Sequence, residues 1–188
     1  MPLVQIHTNI KIEMNQTKED QSLNGFVIVD KPLGMTSHDV VHKIRKICNT
    51  KKVGHAGTLD PEASGVLVVG LGKATRLLTF IVADNKTYQA TIRLGQNTTT
   101  DDAQGDITSQ NSCENITDQE ISNCLLSFIG DLDQVPSSVS AIKVGGKKAY
   151  EIVRSGEKVE LTPRKIHISA IDLHEITRIN NLIDLSVT

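Results

Sequence analysis

Cysteine is scarce in this sequence, and the cysteines present form no framework. There are three, Cys48, Cys113 and Cys124, an odd number with no Cys-x-x-Cys spacing. Neither a zinc site nor a disulfide set is indicated, and we expect reduced thiols in a cytoplasmic protein. Apart from His55, the histidines form no close-spaced ligand set with cysteines or acids, so we expect no metal site.

Long apolar runs and a strong excess of charge are also missing. No stretch is apolar enough to span a bilayer, and neither a secretory signal nor an Arg-rich transit segment is visible. The formal net charge of −2 argues against a uniformly basic nucleic-acid binder, so any RNA affinity has to come from local clusters. A length of 188 residues with 38% hydrophobic residues suffices for one domain with a core. We therefore expect one soluble, cytosolic domain.

The most informative stretch runs from Gly54 to Gly65 and has a carboxylate, Asp60, at its centre. Pro61 disfavours the helical conformation at Asp60, and Gly57 and Gly65 free the backbone on either side. The apolar run at 66–69 predicts a buried strand that would give this loop a rigid base. A carboxylate presented in this way suits chemistry, although an isolated Asp-Pro pair is more often an ordinary turn.

The remaining periodicities predict helices and strands in alternation. By itself, the alternation over residues 86–94 places Tyr88 on an apolar face and is more typical of a core tyrosine. In chain order the predicted elements are a strand at 26–29, a helix capped by Ser37, the strand at 66–69, a helix at 73–81, a strand at 86–94, a helix with a capping box at Thr117 and Glu120, a hairpin and short helix at 140–154, and strands at 165–175 and 182–187.

Two clusters of positive charge interrupt the near-neutral sequence. One is Lys43, Arg45, Lys46, Lys51 and Lys52, which has no acid within it and comes directly before the Asp60 stretch. The other lies between residues 143 and 165, where seven basic residues stand against three acids. Either cluster can neutralise RNA phosphates or form an ordinary solvated surface, and the sequence leaves both interpretations open.

The run His55-x-Gly57-x-Leu59-Asp60-Pro61-x-Ala63-x-Gly65 resembles the active-site loop of the TruB family of tRNA pseudouridine synthases. Residues 86–95 resemble the family strand whose tyrosine lies beside the catalytic aspartate. Residues 130–156 resemble the family's thumb, an insertion that packs against the RNA stem-loop, although Val139 stands where the family has an aromatic residue. The resemblance extends from Gly25 to about Val187.

This resemblance implies an α+β fold with a mixed, mainly antiparallel central sheet, flanking helices and a protruding thumb at about 130–156. Residues 25–188 would form part of a catalytic domain, and residues 1–24 an N-terminal extension to which we assign no function. The sequence stops before the family's Gly-Thr-Tyr-Ile-Arg segment, whose arginine pairs with the aspartate, and before its C-terminal RNA-binding domain. We therefore expect a truncated member that is weakly active or inactive alone.

The resemblance also implies a reaction, the isomerisation of uridine to pseudouridine in the T-arm of tRNA (position 55 of the tRNA), by a cytoplasmic monomer without cofactor or metal. Asp60 would be the nucleophile acting on a flipped-out base, and Tyr88 would act beside it. His55 would lie near the displaced base, and Lys31 would either contact RNA or close the first turn. The further residues expected to bind RNA are Lys143, Lys147, Lys148 and Arg154.

Three other interpretations remain. The chain could be a non-catalytic RNA-binding or tRNA-folding module, or the catalytic subunit of a guide-RNA-directed pseudouridylation particle. It could also be a plain α+β domain with a fortuitous Asp-Pro turn, but the loop, the tyrosine strand and the thumb occur in the family's order, which argues against that.

Overall fold

The computed structural model describes residues 23–82, 85–137, 143–149, 152, 155 and 161–188. The chain divides into two compact units, Met1–Lys86 and Thr87–Thr188. The proposed N-terminal extension stays a prediction, since residues 1–22 lie outside the described ranges. No helix within those ranges is long and apolar enough to cross a bilayer.

Within the described part of the first unit, three antiparallel strands form a sheet with β3 at its centre. The last residue of β1, Lys31, is opposite the first residue of β3, Gly65, while Ala56 at the end of β2 is opposite Val68. In chain order the elements are β1 (Gly25–Lys31), α1 (Ser37–Ile47), β2 (Val53–Ala56), β3 (Gly65–Leu71), a 3₁₀ helix (Gly72–Leu77) and α2 (Leu78–Val82).

The core of this unit lies between α1 and one face of the sheet. Helix α1 contributes Val40, Val41 and Ile44, whose spacing of one, three and four residues places them on one side of a helix. They pack on alternate residues of the strands, among them Leu67 and Val69 of β3. The predicted strands at 26–29 and 66–69 are confirmed, whereas β2 was not predicted.

The N-cap of helix α1 is one residue earlier than the sequence suggested. Thr36, not Ser37, is the N-cap, because its hydroxyl accepts a hydrogen bond from the amide of Asp39 while the Asp39 carboxylate accepts from the amide of Thr36. Hydrogen bonds from the Thr36 hydroxyl and amide lower the pKa of Asp39. Ser37 therefore does not cap the helix, and it is buried.

The second unit has its core around β12, the central strand of a sheet in the order β11-β12-β4. Ile183, Leu185 and Val187 alternate along β12 toward Cys113 and Ile121. The described elements are β4 (Ala90–Leu94), β5 (Gln96–Thr98), β6 (Ile107–Gln110), α3 (Asp118–Leu126), β7 (Gly130–Gln134), β8 (Lys143–Val144), β9 (Lys147–Lys148), β10 (Arg164–Ile168), β11 (Leu173–Ile179) and β12 (Leu182–Val187).

Two polar contacts tie this unit together at its surface. Arg93 of β4 donates two hydrogen bonds, of 2.7 and 2.6 Å, to the carboxylate of Asp184, its cross-strand neighbour on β12, and they lower the pKa of Asp184. Arg178 of β11 donates to Asp118, at the start of α3, at 2.6 Å.

Thr117 and Glu120 form the predicted capping box of α3, which is confirmed.

Three predicted elements differ from the structure. The strand predicted over 86–94 begins only at Ala90, so Tyr88 precedes β4 and is 59% exposed, not part of a core. The predicted strand at 165–175 is divided into β10 and β11, and the predicted helix at 73–81 begins as a 3₁₀ helix. The predicted antiparallel α+β class is confirmed, and every strand pair between described residues is antiparallel.

The thumb-like region contains the predicted two-residue hairpin. Strands β8 and β9 pair around Gly145 and Gly146, whose φ angles of 58° and 89° are the two successive positive values that favour glycine in such turns. The short helix predicted at 149–154 falls largely outside the described residues. So does Arg154.

The first-unit core generates a stability prediction with an internal control. Leu67 is 1% exposed and its neighbour Val66 is 67% exposed on the opposite face of β3. Leu67→Ala should lower the free energy of unfolding by about 2–5 kcal/mol because it removes buried methyl groups and leaves a cavity. Val66→Ala should change it by less than about 0.5 kcal/mol. Urea denaturation measures both, and equal losses would contradict the burial of β3 on one face.

Candidate active site

The Asp60 loop is shorter than the sequence suggested, because its first residues belong to a strand. Strand β2 continues through Ala56, so the loop comprises residues 57–64, and His55 is a strand residue. Gly57 has φ 96° and Gly65 has φ 131°, a region in which residues with a side chain are strained. A built Cβ would meet nothing within 4 Å at either position, so backbone conformation is what requires glycine there.

The backbone on both sides of Asp60 is hydrogen-bonded to the segment between β1 and α1. The Ser37 hydroxyl donates to the Leu59 carbonyl at 3.1 Å and accepts from the Leu59 amide at 2.9 Å. On the other side, the amide of Gly34 donates to the Pro61 carbonyl at 2.8 Å. Within the loop, the amide of Ala63 donates to the Asp60 carbonyl at 3.0 Å. Residues 59, 60 and 61 are therefore all held through their main chain.

The side chain of Asp60 is left open by this arrangement. It is exposed, and no group among the described residues donates a hydrogen bond to its carboxylate or forms an ion pair with it. A carboxylate with free lone pairs on a fixed backbone can attack an electrophilic carbon or accept a proton from a bound molecule.

His55 lies on β2 opposite Val69 of β3 and is partly buried. Its Nδ1 is hydrogen-bonded to the carbonyl oxygen of Gly57, the first residue of the loop. Because a carbonyl only accepts hydrogen bonds, Nδ1 carries the proton in this contact and the neutral ring has its acceptor at Nε2. The imidazole is thus fixed in tautomer and orientation beside the start of the loop.

Lys31 is fully buried, with 0% of its surface exposed. Its ammonium donates to the carbonyls of Pro32, at 3.0 Å, and Met35, at 2.7 Å. These contacts close the turn that contains Gly34, the donor to Pro61. The structure therefore shows the turn-closing contact, and RNA binding by Lys31 stays an untested prediction.

Two lysines of the basic cluster that precedes the loop in sequence, Lys51 and Lys52, are at the other end of β2 from the loop. Lys51 and Lys52 come directly before Val53, the first residue of β2, whereas the loop follows Ala56 at the other end of that strand. The Lys52 carbonyl accepts from Gly72, which follows the end of β3. The charge of Lys51 and Lys52 comes directly before the Asp60 stretch in sequence, and β2 separates it from the loop in the structure.

The other predicted site residues belong to the second unit. Tyr88 is exposed before β4, and its place beside Asp60 stays a prediction. Lys143 is opposite Lys148, and Val144 is opposite Lys147, in the β8–β9 hairpin. Arg154 lies outside the described residues. Nothing in the structure tests the assignment of these residues to RNA.

The contact between Ser37 and Leu59 was not predicted. The two residues are 22 positions apart, and Ser37 at the start of a helix was interpreted as a cap. The one available indication was the pair of hydroxyl residues, Thr36 and Ser37, because only one of two neighbours can be the N-cap. In the parts of the chain that the structure describes, no group of three or more His, Cys, Asp or Glu is placed to hold a metal ion.

Comparison with known proteins gives three consistent results. Residues 45–188 match the model of the TruB family pseudouridylate synthase (N terminal domain). A protein named tRNA pseudouridine synthase B from Paenarthrobacter aurescens (strain TC1) is 55% identical over 168 residues, which cover 88% of this chain and 54% of that protein. A protein of the same name from Mycobacterium sp. (strain KMS) is 53% identical over 163 residues, which cover 87% of this chain and 55% of that protein.

Solved structures show the same relationship at lower identity. The chain of a Cbf5-Nop10-Gar1 complex superimposes with a TM-score of 0.58 and 29% identity over 88% of this chain and 40% of that one. A chain of an H/ACA RNP bound to a substrate RNA containing 2'-deoxyuridine superimposes with a TM-score of 0.54 and 28% identity, over 87% of this chain and 37% of that one. The present chain spans about half the length of the curated relatives that it matches. With the family model matched over most of its length and the Asp60 loop in place, the chain belongs to the TruB family of pseudouridylate synthases.

Proposed function

We propose that the protein isomerises uridine to pseudouridine in tRNA, at the T-arm, with Asp60 as the nucleophile. The observation that carries this proposal is the state of the Asp60 loop, in which the main chain is held at residues 59, 60 and 61 while the carboxylate is exposed and unpaired among the described residues. The naming of the 53–55% identical relatives as tRNA pseudouridine synthases supports tRNA as the substrate.

The chemistry of the reaction matches what such a loop offers. Pseudouridine formation breaks the bond between the ribose and N1 of uracil, turns the base and forms a new bond through C5. C5 loses a proton and N1 gains one, so the reaction has no net redox change and transfers no group to another molecule. A positioned carboxylate supplies the nucleophile, and a nearby acid or base can move the proton. Asp60 takes the first role, and we assign the second to Tyr88.

A uridine within a folded arm must leave its stack before a side chain can reach it, at a cost of a few kcal/mol. His55 is suited to replace or support the displaced base, because its ring is held by Gly57 and leaves Nε2 as an acceptor. The β8–β9 hairpin, with Lys143, Lys147 and Lys148, would contribute phosphate contacts, as would Arg154. We further propose that the enzyme is a cytoplasmic monomer.

A second candidate function is catalysis within a guide-RNA-directed particle. The similarity to the chain of a Cbf5-Nop10-Gar1 complex favours it. The identity to that chain is 29%, whereas the identity to tRNA pseudouridine synthase B reaches 55%, and we therefore place the tRNA enzyme first. The two functions are separated by assaying an unmodified tRNA transcript without any guide RNA, which only a stand-alone tRNA enzyme would convert.

The role of Asp60 can be tested by a change that keeps its shape. In the full-length protein, Asp60→Asn should abolish isomerisation of a T-arm substrate and leave RNA binding about unchanged, because the amide is not a nucleophile. Glu62→Gln, at an exposed carboxylate two residues away, is the matched control and should retain activity. Turnover by Asp60→Asn would contradict the assignment, and binding without turnover by the unchanged protein would favour the non-catalytic module.

The role of Tyr88 can be tested by removing only its hydroxyl. If the hydroxyl takes part in proton transfer, Tyr88→Phe should lower kcat by about 10²–10⁴-fold while the Kd for RNA stays the same. Single-turnover kinetics measure the chemical step directly. An unchanged rate would leave Tyr88 with a packing or stacking role.

The hairpin lysines should contribute to binding through their charge. Replacing Lys147 and Lys148 by Ala should weaken RNA binding and reduce the slope of log K against log salt concentration by about one unit for each lost phosphate contact. A Lys147→Arg, Lys148→Arg variant keeps the charge and should retain the slope. An unchanged slope in the alanine variant would identify these lysines as solvated surface.

A further inference from the structure

Ser37 combines three properties that no capping role explains. Its side chain is buried, with 2% of the residue exposed, although a serine at the start of a helix is normally solvated. Its hydroxyl both donates to and accepts from the main chain of one residue, Leu59, which is 22 positions away. Leu59 is the residue directly before Asp60. The N-cap function is meanwhile performed by Thr36.

The two hydrogen bonds restrain Leu59 more than either would alone. One bond fixes the Leu59 amide and the other fixes its carbonyl, so both peptide planes that flank the Leu59 Cα are held to one atom, Oγ of Ser37. The carbonyl of Leu59 belongs to the peptide that leads into Asp60. The orientation of that peptide therefore sets where the Asp60 Cα and carboxylate lie.

The atom that holds Leu59 is itself rigidly placed. Ser37 is the first residue of α1, whose next turns pack into the core through Val40 and Val41. Leu59 packs against the same core through its side chain. The loop is thus anchored to a helix, which is a firmer support than another loop.

We propose that Ser37 is a positioning residue for Asp60, acting through Leu59 to keep the carboxylate in the attack position on the bound uridine. This inference rests on the proposed function, since it concerns the same site. A nucleophile displaced by about 1 Å loses on the order of 10²-fold in rate, and among the described residues no hydrogen bond or ion pair to the Asp60 side chain would correct such a displacement. The lysines proposed to hold the RNA, Lys143, Lys147 and Lys148, belong to the second unit and are unchanged by a substitution at Ser37.

The experiment compares Ser37→Ala and Ser37→Cys with the unchanged full-length protein. Ser37→Ala removes both hydrogen bonds, and we expect kcat to fall by about 10²-fold with KM and the Kd for tRNA unchanged. Ser37→Cys keeps the size of the side chain with a weaker donor and acceptor, and its kcat should be intermediate. Amide hydrogen exchange at Leu59 should be faster in both variants, in the same order.

Thr36→Ala is the matched control, since it removes the neighbouring hydroxyl and weakens the start of α1 but leaves both Leu59 contacts in place. It should lower thermal stability with little change in kcat. An equal fall of kcat in Thr36→Ala and Ser37→Ala would overturn the proposal, because the effect would then be general loosening of the helix. A normal kcat in Ser37→Ala would overturn it as well.

The failure of the inference and the failure of the proposed function give different results. If the unchanged protein converts no uridine in tRNA, the proposed function fails and the positioning role fails with it, although hydrogen exchange at Leu59 still reports whether Ser37 holds the loop. If the unchanged protein is active and Ser37→Ala alters neither kcat nor Leu59 exchange, the function stands and only the positioning role is refuted.

Discussion

Antiparallel pairing of β3 with both β1 and β2 determines where everything else in the first unit lies. Because β3 runs opposite to its two neighbours, its first residue, Gly65, lies at the edge of the sheet where β1 and β2 both end. The segment after β1 and the segment after β2 therefore leave the sheet at the same edge. The first contains Gly34 and Ser37, the second contains Asp60, and their meeting is a consequence of strand direction.

The segment after β1 forms polar contacts both within itself and with the Asp60 loop. Lys31 is held by two carbonyls of its own turn, the Gly34 amide is bonded to Pro61, and the Ser37 hydroxyl is bonded twice to Leu59. Leaving a buried polar group without a hydrogen-bond partner costs about 1–3 kcal/mol, so breaking any of these contacts is unfavourable. Each contact therefore also restrains the backbone that it joins. The same groups leave the Asp60 carboxylate without a hydrogen-bond partner among the described residues.

The sequence predicts those features of the site that depend on neighbouring residues. The glycines Gly57 and Gly65 indicate positions of positive φ, and the apolar run after Gly65 indicates a buried strand. Both features depend only on residues that are close together in the sequence. The sequence does not predict the bond between Ser37 and Leu59, because serine and threonine can both cap a helix and the bond joins residues 22 positions apart. Alternation likewise marks the faces of the strand near Tyr88 but not where pairing with a neighbour stops, so the strand was predicted too long.

The charged side chains of the first unit are unevenly distributed along its sheet. Its acids among the described residues, Asp30, Asp39, Asp60 and Glu62, are at the end of β1, at the start of α1 and in the loop, which is the edge where the strands meet. The exposed lysines Lys51 and Lys52 are at the far end of β2. Lys31 lies at the same edge as Asp60, but its ammonium is bonded to the carbonyls of Pro32 and Met35 and forms no ion pair with the Asp60 carboxylate. The carboxylate therefore keeps its lone pairs available to a bound molecule, as the nucleophilic role proposed for Asp60 requires.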